Sequence, residues 1–381
     1  MTGDGALLCP TFTVGHDRRR ALAVTLLQWA MSTTEQMSFG FDSAPLDVAP
    51  APAQPVAKSK PAPKASSKAT TMAAHAAATA ETLSHDAMAH ALDAHPDYKV
   101  LRRLVPRDDW GAVPASGTQR VIVLDTETTG LDAKNERIIE LAMLSVLVDT
   151  ATGQPVGPVT TYESFEDPGK PIPPAITEIT GIDDSMVRGQ RIDDARVAEL
   201  VQAADLIVAH NAGFDRPFVE ARLPVFATRA WNCSFAGIDW KGQGSGSAKL
   251  EFLAHERGWF YDAHRALVDC HALLQVLAAP LKDGHTGLQQ LLQGASATRY
   301  KLRATGAPFE AKDALKARGY RWDSENRVWW TSLTGQDALQ QEADWLKAKA
   351  YNGRSARVLV EAQTALVQFS VRGGDVSELI L

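Results

Sequence analysis

The strongest constraint on this chain is an apolar run that ends in acid. Val121-Ile122-Val123-Leu124 reads as a strand and passes straight into Asp125-Thr126-Glu127-Thr128-Thr129-Gly130. Side chains alternate across a strand, so Asp125 and Glu127 project from the same face. Two carboxylates side by side repel one another. Such a pair is either solvated at an exposed strand end or neutralised by a cation, and hard oxygen ligands select Mg²⁺ or Mn²⁺.

The flanking sequence builds a sheet around that strand. Arg137 to Asp149 is a second long apolar run and Val159 to Phe165 a third. Helical periodicity follows at Ile192 to Ala203, a buried strand at Leu206 to Ala209, and helices at Phe214 to Ala221, Ala248 to Arg257 and Arg265 to Leu281. Strands come first and then alternate with helices, which predicts an α/β fold, a mixed sheet with helices on its faces, over residues 120–283. Two further polar clusters sit at element ends. In His210-Asn211-Ala212-Gly213-Phe214-Asp215 a strand runs into a helix, and Asn211 and Asp215 are also natural capping residues there. In Tyr261-Asp262-Ala263-His264-Arg265-Ala266-Leu267-Val268-Asp269 a spacing of five places side chains roughly 140° apart within one helix. His264 therefore shares a target with Asp269 only from the loop or first turn; otherwise it is a surface or capping residue. Asp262 reads as an N-cap.

The three clusters, in this order, resemble the signature of the DnaQ-like, DEDD-type 3′→5′ exonuclease superfamily. The subgroup is the one with a catalytic histidine, which includes the epsilon proofreading subunit of bacterial DNA polymerase III. Its motifs appear as Asp125-x-Glu127, His210-Asn211-x-x-Phe214-Asp215, and His264 with Asp269. The similarity runs from about Arg120 to Leu281 and takes in the segments 175–182 and 249–253. It implies a ribonuclease H-like fold, a five-stranded mixed sheet flanked by helices, and phosphodiester hydrolysis with two Mg²⁺ or Mn²⁺ ions. By resemblance Asp125 bridges both ions, Glu127 and Asp269 complete the site that activates water, and Asp215 holds the second ion, largely through water. His264 is then the general base, apt because a free imidazole titrates at about 6.5. Thr128, Thr129 and Gly130 offer backbone groups to the terminal sugar. Leu131 and Phe214 offer apolar faces to bases, unless they are ordinary core residues, and Asn211 joins the substrate side. The implied substrate is the 3′ end of single-stranded DNA, released as nucleoside 5′-monophosphates in repair, proofreading or processing. RNA trimming on the same fold, or a non-catalytic nucleic-acid-binding scaffold, are the alternatives. Glu140, on the neighbouring strand, either supports this site or faces outward. No polymerase-binding tail follows, and Gln289-Gln290-Leu291-Leu292 lacks the paired aromatics of a sliding-clamp peptide, so a free-standing enzyme with a possible polymerase or repair partner is expected.

Composition bounds the remainder. The chain has 381 residues, net charge −6 and three widely spaced cysteines, which argues against a disulfide framework or a zinc ribbon. Residues 42–97 contain no aromatic residue, and 51–80 hold twelve Ala, four Pro and four Lys without an acid. A disordered N-terminal segment over 1–97 is expected, with transient Ala-rich helix over 72–94, and a lead-in at 98–119. The apolar stretch 21–30 is shorter than the roughly 20 residues a bilayer requires, so no membrane contact and a cytoplasmic location are expected. Residues 300–381 carry four of the nine tryptophans and read as a small α+β C-terminal unit: a short helix from Phe309, a stop at Gly319, and a turn at 323–327 between aromatic strands. Between Arg299 and Arg327, eight basic residues face four acids, a pattern suited to single-stranded nucleic acid or to a protein partner. Trp231, Trp240 and Trp259 read as core or rim.

Overall fold

The computed structural model describes residues 84–114 and 117–381; expectations for 1–83 lie outside the described residues. The chain divides into the units Met1–Tyr98 and Lys99–Leu381. In the first, helix α1 (His85–Asp93) starts where Ser84 Oγ accepts from the Ala87 N–H at 3.2 Å, and Asp86 sits in the favourable first turn. It falls within the stretch read as Ala-rich helix. None of its residues is buried.

The second unit opens with β1 (Arg102–Arg103), which later pairs in parallel with β7 (Trp259–Phe260). Its first sheet comprises β2 (Thr118–Thr128), β3 (Ile138–Asp149), β4 (Pro155–Phe165), β5 (Leu206–Ala209) and β6 (Ala230–Cys233), in the order β4-β3-β2-β5-β6. β3 and β4 run antiparallel and β5 and β6 parallel to their neighbours, so the sheet is mixed, the ribonuclease H-like arrangement. Helices α2 (Asp194–Ala203) and α3 (Ala212–Arg222) cover one face; α4 (Leu250–Glu256), α5 (Ala266–Ala278) and α6 (Gly287–Ala295) cover the other. Strand alternation decides which side chain meets which helix. Val121 and Val123 pack with Cys270, Leu273 and Leu274 of α5, whereas Ile122 and Leu124 pack with Phe218 and Val219 of α3. At about 1.5–3 kcal/mol per buried aliphatic side chain, those four residues anchor β2 and thereby fix its acidic end. Trp231 and Trp240 are core residues, and Trp259 is half-buried at the edge of the same core.

A second five-stranded sheet, wholly antiparallel, comprises β8 (Arg299–Ala304), β9 (Arg321–Asp323), β10 (Val328–Thr334), β11 (Arg357–Gln363) and β12 (Asp375–Ile380), ordered β12-β11-β8-β10-β9. Helices α7 (Lys312–Ala317) and α8 (Gln336–Trp345) cover one face through Leu302, Leu315, Tyr320, Leu339, Val358 and Val360. Gly319, at φ +92°, reverses the chain after α7, as a C-terminal stop requires.

The segment between β11 and β12 is bolted to the first sheet. The guanidinium of Arg216, on α3, is fully buried and donates to the carbonyls of Ala365 (3.2 Å), Leu366 (2.6 Å) and Gln368 (2.5 Å). It also pairs with Glu220 at 2.7 Å and lies over the Trp231 ring at 5.3 Å. Glu220 in turn accepts from Ser370 and Arg372, while the Trp231 backbone N–H donates to the Ala365 carbonyl. Arg216→Met takes from Glu220 its buried guanidinium partner and from three carbonyls one donor each, so urea unfolding is expected to show a loss of about 3–5 kcal/mol. A loss under about 1 kcal/mol, the scale of a surface pair, would contradict this assignment.

Candidate active site

Three carboxylates meet on the α5 side of the sheet. Asp125 and Glu127 project from the end of β2 and Asp269 from the first turn of α5, and one oxygen of each lies within 4.8 Å of the others. Asp215 approaches from the opposite face. Thr126, between the two strand acids, points towards α3, and both its N–H (3.2 Å) and its hydroxyl (2.9 Å) donate to Asp215 Oδ1. The strand end thus holds two acids directly and a third through the intervening threonine.

Asn211 starts α3 from the left-handed region, φ +69°, ψ +49°, and makes no side-chain capping bond. Its conformation turns the chain sharply from β5 into the helix, which puts Asp215 in the first turn. Phe214 is half-buried and contacts Phe218 at 5.1 Å between ring centroids, while Leu131 is 43% exposed. Thr128 donates to the Gly130 carbonyl at 2.6 Å, and Thr129 donates to Glu136, itself paired with Lys170, so the turn after β2 is held rigid. His210 is half-buried, and its Nδ1 contacts Ser234 Oγ at 2.8 Å.

His264 precedes α5 with φ +67° and an exposed side chain. Its backbone N–H donates to Asp269 Oδ2 at 2.8 Å, and the Arg265 N–H adds a second bond to that oxygen at 3.2 Å. The reading of Asp262 as an N-cap does not survive. Arg265 occupies the cap position, and Asp262 is exposed and salt-bridged to Arg103 at 2.8 Å. The work of the missing cap falls to Glu140, fully buried on β3, whose carboxylate accepts from the Ala266 N–H at 2.9 Å and from Arg265 Nη2 at 2.9 Å. A carboxylate at a helix N-terminus is favoured by the exposed N–H groups there. Glu140 therefore fixes the segment carrying His264 and Asp269. Sequence reasoning missed Arg265; the available signal was Glu140 itself, an acid inside an apolar strand that demands a cation.

The electrostatics fit a cation site. Burial, followed by repulsion from Asp215, Asp269 and Glu127, holds the Asp125 carboxyl well above its ordinary range. Burial and then Asp269 push Glu127 up to about 8, and burial raises Asp215 to about 7 and Asp269 to about 6. All four are acidic oxygens that divalent cations of the Mg²⁺ or Mn²⁺ type prefer, and the cost of crowding them falls when such a charge is bound.

Residues 122–277 match the family model RNase_T, described as "Exonuclease". Among curated relatives, the DNA polymerase III PolC-type of Caldanaerobacter subterraneus subsp. tengcongensis is 29% identical over 182 residues, 45% of this chain and 12% of that protein. The PolC-type polymerase of Bacillus subtilis is 36% identical over 104 residues, 26% of this chain and 6% of that protein. The chain thus spans a small part of the length of these relatives. A solved structure titled "Exonuclease X in complex with 5' overhanging duplex DNA" is similar at 25% identity with a TM-score of 0.34, covering 45% of this chain and 97% of that one. The sheet has the ribonuclease H-like strand order and carries an acidic cleft at the end of β2. Over residues 122–277 the chain is similar to the exonuclease family of that model, which supports the DnaQ-like resemblance.

No helix among the described residues is long and apolar enough to cross a membrane.

The raised carboxyl values carry a sign for stability. The folded protein binds more protons than the unfolded chain between the ordinary carboxyl pKa and the raised values of about 6, 7 and 8, so metal-free stability falls as pH rises through that window. In chelator, the thermal midpoint is expected to drop between pH of about 5 and about 8, with a shallower slope in Asp125→Asn/Glu127→Gln. Added Mn²⁺ restores more at the upper pH than at the lower. A variant slope equal to wild type would contradict the assignment.

Proposed function

We propose that the protein is a metal-dependent 3′→5′ exonuclease that hydrolyses the terminal phosphodiester of single-stranded DNA and releases nucleoside 5′-monophosphates. The observation that carries this reading is the convergence of Asp125, Glu127 and Asp269 within 4.8 Å, with Asp215 tied to the same strand end through Thr126. Asp125, Glu127 and Asp269 would hold one divalent ion, and Asp125 with Asp215 a second. When bound, these ions neutralise the charge that builds on phosphorus and ease deprotonation of the attacking water.

The chain's own groups do the rest. His264, exposed beside Asp269, takes the proton from the attacking water through its imidazole. Glu140 and Arg265 keep His264 in place without touching substrate. The backbone of Thr128, Thr129 and Gly130 receives the terminal sugar. Leu131 and Phe214 stack on the last bases, with Asn211 shaping that side of the cleft, so little base preference is expected. DNA is favoured over RNA because the curated relatives are DNA polymerases by name. Those relatives also support a replication or repair setting, in a partnership with a polymerase or as a free-standing enzyme.

The test is degradation of single-stranded DNA labelled at its 5′ end, with Mg²⁺ and with chelator. A ladder shortened from the 3′ end and liberated 5′-mononucleotides are expected, together with slower degradation of RNA. Asp125→Ala and Asp269→Ala abolish turnover, and His264→Ala loses roughly 10² to 10⁴-fold and flattens the acidic limb of the pH profile. Shortening from the 5′ end, or turnover in chelator, would overturn the reading.

A further inference from the structure

The second sheet leaves part of one face open to solvent; on that same face Glu361 is buried and Arg299 lies over the Phe369 ring. The sheet's inner face is closed by α7 and α8, but on the outer face Val376 and Ile380 of β12 are 56% and 68% exposed. The register places Arg321, Trp330, Arg303 and Leu359 in one row across β9, β10, β8 and β11. Lys301, two residues from Arg303 along β8, shares that face. The Trp330 indole is half-buried and lies between two cations, with Lys301 Nζ 4.6 Å and the Arg321 guanidinium 5.6 Å from its ring.

The charges of this face are unequally matched. Arg303 is paired with Glu361, and Arg357 approaches Glu378 at 3.6 Å. Among the described residues Lys301 and Arg321 make no salt bridge within 4.0 Å; Glu361, directly across from Lys301 in the register, is engaged with Arg303, and Asp323 is held low in part by the Lys301 charge. Asp323, the acid at the end of β9, is occupied in its own turn, where it accepts from the Glu325 and Asn326 N–H groups and from the Asn326 side chain. A flat aromatic and aliphatic row flanked by cations that make no direct salt bridge is complementary to a chain of phosphates bearing planar bases, whereas an acidic peptide would leave the indole unused.

We propose that this open face is a binding platform for single-stranded nucleic acid, with a base stacked on Trp330 and backbone phosphates held by Lys301 and Arg321. It extends the nuclease reading above and rests on it for the identity of the strand as substrate. Binding on the platform needs neither the four carboxylates nor a metal.

The probe is a fluorescein-labelled 20-nucleotide oligothymidylate bound to the full chain in chelator, followed by anisotropy across a salt series, with oligouridylate of the same length as a second arm. Hydrolysis of a thymidine dinucleotide in Mg²⁺ is measured alongside. Trp330→Ala is expected to weaken oligomer binding about tenfold, while Trp330→Phe retains it. Lys301→Glu with Arg321→Glu weakens it and makes the log–log salt slope shallower by about 1.4, two phosphates' worth. Dinucleotide hydrolysis stays at the wild-type rate in each variant. A larger effect on one oligomer identifies DNA or RNA as the preferred strand. Wild-type affinity in both Trp330→Ala and the double variant would overturn the platform, as would parallel loss of dinucleotide hydrolysis, which assigns the effect to folding. If wild type fails to cleave the dinucleotide but the oligomer effects stand, the nuclease reading fails and the binding face survives.

Discussion

Everything at the cleft depends on mutual repulsion among carboxylates gathered at the end of one buried strand. Two like charges about 4 Å apart cost on the order of 4 kcal/mol at a protein-surface dielectric. Burial of Val121, Ile122, Val123 and Leu124 on the two faces of the same strand offsets this, at about 1.5–3 kcal/mol each. The sheet thus holds the acids together. Their raised proton affinities record the strain, and a divalent cation bound among them would relieve it.

The supports are as informative as the acids. Thr126 points away from Asp125 and Glu127 by strand alternation, and this lets it hold Asp215 from the far side of the sheet. Glu140 neutralises Arg265 and caps α5, so the turn bearing His264 is set by a residue on a different strand. Arg216, adjacent to Asp215, ties α3 to three carbonyls of the segment between β11 and β12. The second sheet is therefore not a loose appendage: the helix that presents Asp215 is braced by it.

Much of this was legible in the residues. The apolar run into Asp125 and Glu127 and the strand at 206–209 running towards Asp215 indicated strands of a mixed sheet that end in acid, because strand alternation and helix starts are local properties, and the family resemblance implied that Asp269 joins them. What escaped was long-range. The partner of Glu140 lies 125 positions away, and nothing near Asp262 announced that its carboxylate would be drawn to Arg103. Arg216 binds backbone carbonyls, which leave no trace in side-chain pattern. β11 was invisible as a sheet strand because its partner β8 lies more than fifty residues upstream.

The central claim is that the end of β2 grips divalent cations. Anomalous diffraction from crystals soaked in manganese tests it most directly. The account predicts density among Asp125, Glu127 and Asp269, and a second peak between Asp125 and Asp215. Crystals that take up manganese elsewhere and leave these carboxylates bare would contradict it.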